Sequence, residues 1–308
     1  MGGLPNFLVI GAAKTGTTSL HNYLGQHPEI FMSEIKEPGF FVYEGQSDVA
    51  QNIHRRYPFV TDLESYRALF RRVRDEKAIG ESSPQYLDLV NPELIARLHR
   101  YLPDGRFIAI FRQPVDRAYS YYLMTFSSEE PWSRGREPSI DEFVRQLRAD
   151  CHRSDVLGQG VSRGPHLAGS YADRISLYLD SFDRSRFKLC LHDDFGADSR
   201  AFLRDIFEFL EVDANAEIDV STRHNPNVVM TKGATRILLS RPNPIRFAAR
   251  KLLPAGLRVR ILSSIADFKR EVPRRLDPDL RRELSQEFRP EIHRLEDILQ
   301  RDLSHWLE

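Results

Sequence analysis

Short apolar runs alternate along the chain with segments whose apolar residues recur every three or four positions. Asn6–Gly11, Lys77–Glu81, Arg106–Arg112 and Arg186–Leu191 read as buried strands. Helical spacing is expected over Thr17–Gln26, Pro114–Thr125, Ile140–Ala149, Tyr171–Asp180, Ala201–Leu210 and Asp279–Leu299. A further helix opens at Asn91-Pro92, where Asn91 can cap the first turn and Pro92 suits its start. Leu94, Ile95, Leu98 and Tyr101 then share one face. Alternating strands and helices predict an α/β architecture, a central parallel sheet flanked by helices. Ser127–Ser139 and His152–Pro165 are rich in Gly, Pro, Ser and charge and read as long loops. Neither an internal repeat nor a sharp compositional boundary divides residues 1–308, so one domain is expected.

Composition narrows the partners. Formal net charge is +0, so no global field draws the protein to nucleic acid, and anion recognition must be local. Only Cys151 and Cys190 are present, without C-x-x-C spacing, which points to two ordinary thiols and no metal site. No signal-peptide pattern and no long apolar span is visible, and a cytoplasmic location is the expectation. His21, His27, His54 and His99 lack partners at metal spacing, and packing or surface roles are expected. The segment 241–275 differs: basic residues dominate and interleave with Ile245, Phe247, Leu252, Leu257 and Ile261. It reads as a solvated basic face of a helical C-terminal region spanning 241–308, or as a peripheral contact for an anionic membrane or acidic acceptor.

The chemistry starts at Gly11-Ala12-Ala13-Lys14-Thr15-Gly16-Thr17-Thr18-Ser19, directly after the strand Phe7–Ile10. A buried strand entering a Gly-bounded turn and then a helix aims backbone N–H groups at an anion. Gly11 and Gly16 have the G-x-x-x-x-G spacing of an ATP-binding loop, but Thr17 stands where that loop needs Lys. The lysine is inside the turn, at Lys14. The strand Phe107–Phe111 ends in Arg112, where a kinase-like site places the Asp that helps hold Mg²⁺. A cation there favours direct side-chain contact with a phosphorylated nucleotide and no metal.

Lys14-Thr15-Gly16-Thr17-Thr18 resembles the 5′-phosphosulfate loop of sulfotransferases that use 3′-phosphoadenylyl sulfate (PAPS). Arg112-Gln113-Pro114-Val115-Asp116-Arg117-Ala118-Tyr119-Ser120-Tyr121-Tyr122 is similar to that family's 3′-phosphate segment, R-x-P-x-x-R-x-x-S-x-Y. The resemblance implies a P-loop-like fold with a helical C-terminal lid region. It also implies that Lys14, Thr15, Gly16, Thr17 and Thr18 hold the phosphosulfate, and that Arg112 and Ser120 hold the 3′-phosphate. Thr231-Lys232-Gly233 is similar to the loop that closes over the cofactor, placing Lys232 and Gly233 there. Lys14 is expected to stabilise the leaving group without a metal. His192 falls where relatives often carry an aromatic near the adenine.

Ser33-Glu34-Ile35-Lys36-Glu37-Pro38-Gly39-Phe40-Phe41 resembles the K-E-x-H-F-F segment of carbohydrate, heparan-type sulfotransferases. Carried over, the general base is Glu37, with Gly39 in the family's His position. Phe40 and Phe41 are expected to exclude water from the Glu37 carboxylate, and Lys36 to oppose its proton uptake. Gly80-Glu81-Ser82-Ser83-Pro84-Gln85-Tyr86 resembles E-K-[ST]-P-x-Y; it leaves Glu81 as a second base candidate and replaces a sugar-facing Lys by Ser82. A hydroxyl, or an amine, of a sugar, lipid or small natural product is the expected acceptor. The rival readings are a Mg²⁺-dependent nucleotide kinase and a non-enzymatic nucleotide-binding or membrane-peripheral module. Oligomeric state is left open.

Overall fold

A computed structural model describes residues 3–46, 59–127, 139–151, 171–221, 229–230, 270–271 and 276–308. The interior of the expected loop at 127–139, the loop at 152–165, Lys232 and Gly233, His54, and nearly all of 241–275 lie outside these residues.

At the centre is β1 (Phe7–Gly11), fully buried along its length. It pairs in parallel with β3 (Ala78–Ser82) on one side and β4 (Arg106–Phe111) on the other. The edges are β2 (Ile30–Met32) and β5 (Phe187–Leu191), also parallel, giving the order β2-β3-β1-β4-β5. The alternation of β1 explains why both sheet faces need covering. Leu8 and Ile10 enter one apolar cluster, while Phe7 and Val9 enter another on the opposite face.

On the Phe7/Val9 face lie α1 (Thr17–Leu24) and α10 (Ser199–Leu210), through Leu20, Tyr23, Leu24, Phe202, Leu203 and Ile206. The other face is covered by α5 (Pro92–Tyr101), α6 (Pro114–Ser127) and α8 (Tyr171–Leu179). The expected cap is present on α5: Leu94 N–H donates to Asn91 Oδ1 at 2.8 Å, with Pro92 in the first turn. Between these stand the short helices α2 (Phe40–Tyr43), α3 (Leu63–Ala68), α4 (Gln85–Asp88) and α9 (His192–Ala197), beside the longer α7 (Ile140–Cys151). Two residue pairs, Val229–Met230 and Arg270–Glu271, form a small antiparallel ladder.

The single helix expected over Asp279–Leu299 is two, α11 (Pro278–Glu287) and α12 (Arg289–Leu299). Pro290 has no N–H to donate and its ring obstructs the preceding turn, so the first helix ends at Phe288 and a new one begins. This pair belongs to the core. Leu284, Ile292, Leu295, Leu303 and Trp306 are buried, and Gln113 donates to Ser285 Oγ at 2.6 Å and to the Trp306 carbonyl at 3.2 Å. Among the described residues no helix is long and apolar enough to cross a membrane. Cys190 is a free, buried thiol whose pKa burial pushes up to about 12, which leaves it unreactive near neutrality.

The direction in which strands are added reverses at β1, while all five strands stay parallel. The connection leaving β1 runs through α1 to the β2/β3 side, and the later strands β4 and β5 add on the other side. In open parallel sheets the crevice at such a switch point, outside the carboxyl ends of the strands, receives ligands. Gly11–Gly16, Ser83 and Arg112 all follow strand ends bordering that crevice.

Candidate active site at the sheet switch point

The loop after β1 is held open by its own backbone. Lys14 adopts φ +69° and Gly16 φ +96°, and Thr15 Oγ1 donates back to the Ala12 carbonyl at 2.7 Å. Ala12 N–H donates to the Ile110 carbonyl of β4 at 3.0 Å. Gly16 is the N-cap of α1 and caps it with no side chain, leaving the first amides of the helix for an anion. A side chain at Gly16 would collide with its wall: a Cβ there would sit 3.0 Å from the Phe195 ring and 3.7 Å from His192 Cδ2. His192 and Phe195 therefore flank the loop.

Arg112, at the end of β4, donates through Nη1 to the Lys14 carbonyl at 3.1 Å. Two cations thus meet across the crevice. Burial, and next the Arg112 charge, bring the Lys14 pKa down to about 8; Glu37 opposes the shift and Lys36 adds to it. Lys14, Arg112, Lys36 and Glu37 consequently form one electrostatic group. Thr15 and Thr17 are buried beneath the loop, and Thr18 accepts from Asn22 Nδ2 at 2.7 Å through its carbonyl. Ser120 is buried on α6 at 3% exposure, on the helix that Arg112 precedes.

Below the loop lies a charge cluster that the sequence does not reveal. Asp88 accepts from Ala13 N–H at 3.3 Å and is ion-paired with Arg117, whose Nε donates to the Ala13 carbonyl at 2.9 Å. Arg174 Nη1 approaches the same carboxylate at 3.6 Å. All three side chains are almost completely buried. The Arg117 guanidinium lies 4.8 Å over the Tyr171 ring, and the Tyr171 hydroxyl donates to the Arg112 carbonyl at 3.1 Å. Two arginines share this aspartate under the loop, and the buried Glu291 adds a second negative charge that acts on Arg174. Burial lowers the Arg174 pKa to about 10, yet the guanidinium stays charged at neutral pH. Arg117 was visible as the second Arg of the R-x-P-x-x-R pattern. Asp88 and Arg174 carry no local signal, because their meaning depends on α4 and α8 meeting under β1.

Glu37 stands on the opposite wall. Its N–H donates to the Ser82 carbonyl at 3.0 Å, it adopts φ +62°, and its carboxylate is ion-paired with Lys36. The expected role of Phe40 and Phe41 is corrected here. Both rings are fully buried and stack into Tyr66 and Tyr86 rather than over Glu37. The carboxyl they desolvate is Glu81, which accepts from the hydroxyls of Tyr86 at 2.5 Å, Ser83 at 2.8 Å and Tyr66 at 3.2 Å. Burial raises the Glu81 pKa to about 7 against the opposing pull of these hydroxyls.

Gly39, in the position of the family's His, has φ +66° and no room for a side chain: a Cβ there would lie 2.9 Å from Gln85 Nε2. Ser82 is buried on the α1 face, paired with Val9, and its Oγ has no hydrogen-bond partner among the described residues. His21 Nδ1 shares that condition, and burial lowers the His21 pKa to about 4, so the ring is neutral. His27 accepts from Glu29 N–H and packs on Phe207, while His99 stacks on Phe182; both are packing residues.

Known proteins with similar sequences converge on one family. The sequence model of the sulfotransferase family matches residues 5–216, a stretch holding Lys14, Glu37, Glu81, Arg112 and Ser120. The membrane-associated sulfotransferase kil1 of Dictyostelium discoideum is 37% identical over 145 residues, covering 47% of this chain and 27% of that protein. Human carbohydrate sulfotransferase 15 is 25% identical over 252 residues, covering 68% of this chain and 44% of that protein. This chain thus spans less than half the length of these relatives. The crystal structure of a sulfotransferase from Alicyclobacillus acidocaldarius matches with a TM-score of 0.65 and 28% identity over 99% of both chains. With the matched segment running through the Lys14 loop, the Glu37 wall and the Arg112 strand end, the chain belongs to the sulfotransferase family.

Proposed function

We propose that this protein transfers a sulfuryl group from PAPS to a hydroxyl group of a sugar-containing acceptor. The observation that carries the reading is the meeting of Lys14, Arg112 and the open amides of α1 with Glu37 across the switch-point crevice. The residues fit an anionic nucleotide. Asp88, the carboxylate bonded to the loop, is engaged by two arginines and so is not offered to a metal ion. With Arg112 at the end of β4, the donor set suits phosphate and sulfate oxygens better than Mg²⁺.

PAPS supplies an activated sulfuryl group whose transfer leaves negative charge on the 5′-phosphate. Lys14 and the N–H groups of Thr17 and Thr18 stabilise that charge as it develops. Arg112 and Ser120 hold the 3′-phosphate, and the sequence resemblance assigns Lys232 and Gly233 to the same nucleotide. Glu37 accepts the acceptor hydroxyl's proton at its carboxylate, which is ion-paired with Lys36. Similarity to a carbohydrate sulfotransferase supports a sugar acceptor.

Titration calorimetry in EDTA with 3′-phosphoadenosine 5′-phosphate (PAP), AMP and ATP tests the nucleotide. Strong preference for PAP is expected; tighter ATP binding that requires Mg²⁺ would assign a kinase instead. Labelled PAPS offered with a panel of unsulfated hexosamine-containing oligosaccharides tests the acceptor, with label in the saccharide as the expected result.

Lys14 adds a pH dependence. Its ammonium form is the functional one and its pKa in the free enzyme is about 8, so kcat/KM is expected to fall as pH rises through that value. A profile flat to well above this range would remove Lys14 from the mechanism. Lys14→Ala is expected to lower kcat on the order of 10²-fold, the usual loss for one donor to a developing anion.

A further inference from the structure

Glu81 is a fully buried carboxyl without an ion-pair partner among the described residues, held only by three hydroxyl groups. Such a group is costly to bury, and an apolar residue would fill the space more cheaply. Its location rules out contact with an acceptor, since no part of it is exposed. What it does touch leads to the Glu37 wall. Ser83 Oγ donates to Glu81 Oε2 at 2.8 Å and, with its remaining lone pairs, accepts from Gly39 N–H at 3.2 Å. Gly39 is two residues from Glu37 and starts α2.

Both residues are in the left-handed region, Glu37 at φ +62° and Gly39 at φ +66°. For a non-glycine residue that conformation is unfavourable and persists only where surrounding contacts hold it. Three backbone contacts hold this one: Glu37 N–H to the Ser82 carbonyl at 3.0 Å, Gly39 N–H to Ser83 Oγ, and Val60 N–H to the Pro38 carbonyl at 2.9 Å. Side-chain packing completes the clamp. Phe40 stacks on Tyr66 at 4.3 Å between ring centroids, and Phe41 meets Tyr66 and Tyr86 edge-on at 5.4 Å. The hydroxyls of those tyrosines end on Glu81.

We infer that Glu81 is a positioning residue: through Ser83, Tyr66 and Tyr86 it locks the strained Glu37–Gly39 turn and so fixes the catalytic carboxylate at the crevice. The inference rests on the proposed role of Glu37 and removes Glu81 as a base. Its carboxylate form suits the task, because it accepts all three hydroxyl protons at once and thereby turns the Ser83 lone pairs toward Gly39. An amide at this place cannot do the same. Its NH₂ would face Ser83 or a tyrosine as a donor and redirect that hydroxyl.

The test compares Glu81→Gln, Ser83→Ala and Ser83→Thr with Glu37→Gln. The probes are labelled PAPS with an unsulfated hexosamine oligosaccharide, PAP calorimetry, and amide hydrogen exchange. Glu81→Gln and Ser83→Ala are expected to lower kcat by roughly 30- to 100-fold, the scale of a misplaced catalytic group. Acceptor KM and PAP affinity should stay within about twofold, since neither variant touches the anion loop. Exchange of the Gly39 and Glu37 amides should accelerate by about tenfold or more, the signature of local opening. Ser83→Thr, which keeps the hydroxyl, should recover both rate and protection. Unchanged Gly39 and Glu37 exchange in Ser83→Ala would overturn the inference, as would full kcat in that variant while Glu37→Gln is inactive. Should Glu37→Gln itself remain active, the base assignment falls, and the exchange measurement still decides whether Glu81 holds the turn.

Discussion

Glu37→Gln is expected to lower kcat by about 10²- to 10⁴-fold, the range that general-base catalysis contributes. The substitution keeps the shape of the side chain and leaves the turn intact, because the backbone bonds from Glu37 to Ser82 and from Gly39 to Ser83 do not involve the carboxylate. What it removes is the atom that receives the proton. It also removes the negative partner of Lys36 and one of the charges that raises the Lys14 pKa. The two remaining cations then favour the neutral form of Lys14, so the alkaline fall in kcat/KM should begin at lower pH in the variant. PAP affinity should be preserved or slightly improved at neutral pH, as an anion beside the phosphate site is gone. The readouts are transfer from labelled PAPS and PAP calorimetry across pH. Activity within a few-fold of the unsubstituted protein would show that Glu37 is not the base.

Asp88→Ala is the second large effect, expected on folding. Removing one member of a buried ion pair typically costs about 3–5 kcal/mol, because the partner's charge is left without compensation. Here two guanidiniums, Arg117 and Arg174, lie against the same carboxylate, with Asp88 side-chain exposure of 7% and 2% for each arginine. Like-charge repulsion between the arginines then adds to their desolvation. The loss should be visible as a lower urea midpoint with little change in slope. A second consequence reaches the site. Asp88 accepts from Ala13 N–H and positions Arg117, which holds the Ala13 carbonyl, so PAP affinity should fall together with stability. Asp88→Asn retains a hydrogen-bond acceptor and should be milder in both. A midpoint unchanged in Asp88→Ala would mean that water reaches the cluster and screens the arginines.

Much of the site is readable in one dimension because it is built from contiguous segments. The Lys14 loop follows its strand within a few residues, and Arg112 ends another strand; their spacing carries the geometry with it. The same holds for α5, whose cap and first-turn proline are adjacent in sequence. Other elements were too short to leave a pattern. The strand Ile30–Met32 has three residues, two of them only partly buried, and α2, α3 and α4 complete barely a turn or two. The break between α11 and α12 was legible in principle, since Pro290 stands inside the apolar periodicity that suggested one helix.

Assigning the buried carboxyl was beyond the linear pattern. Phe40 and Phe41 are close to Glu37 in sequence, but α2 turns both rings inward, where they meet tyrosines from α3 and the segment after β3. Those tyrosines end on Glu81, at least forty residues from the two phenylalanines along the chain. The hidden triad of Asp88, Arg117 and Arg174 has the same origin, with each residue supplied by a different helix.

Sequence alone determined the parallel α/β architecture, the Gly-bounded turn with Lys14 inside it, the cation following β4 and the family. These rest on local backbone preferences and short-range spacing, which one chain segment can encode by itself. Tertiary structure decided which acids are exposed and which are buried, what neutralises Arg117 and Arg174, and how the Glu37 turn is held. Those are properties of burial and charge proximity in a low-dielectric interior. They come into being only when distant segments pack.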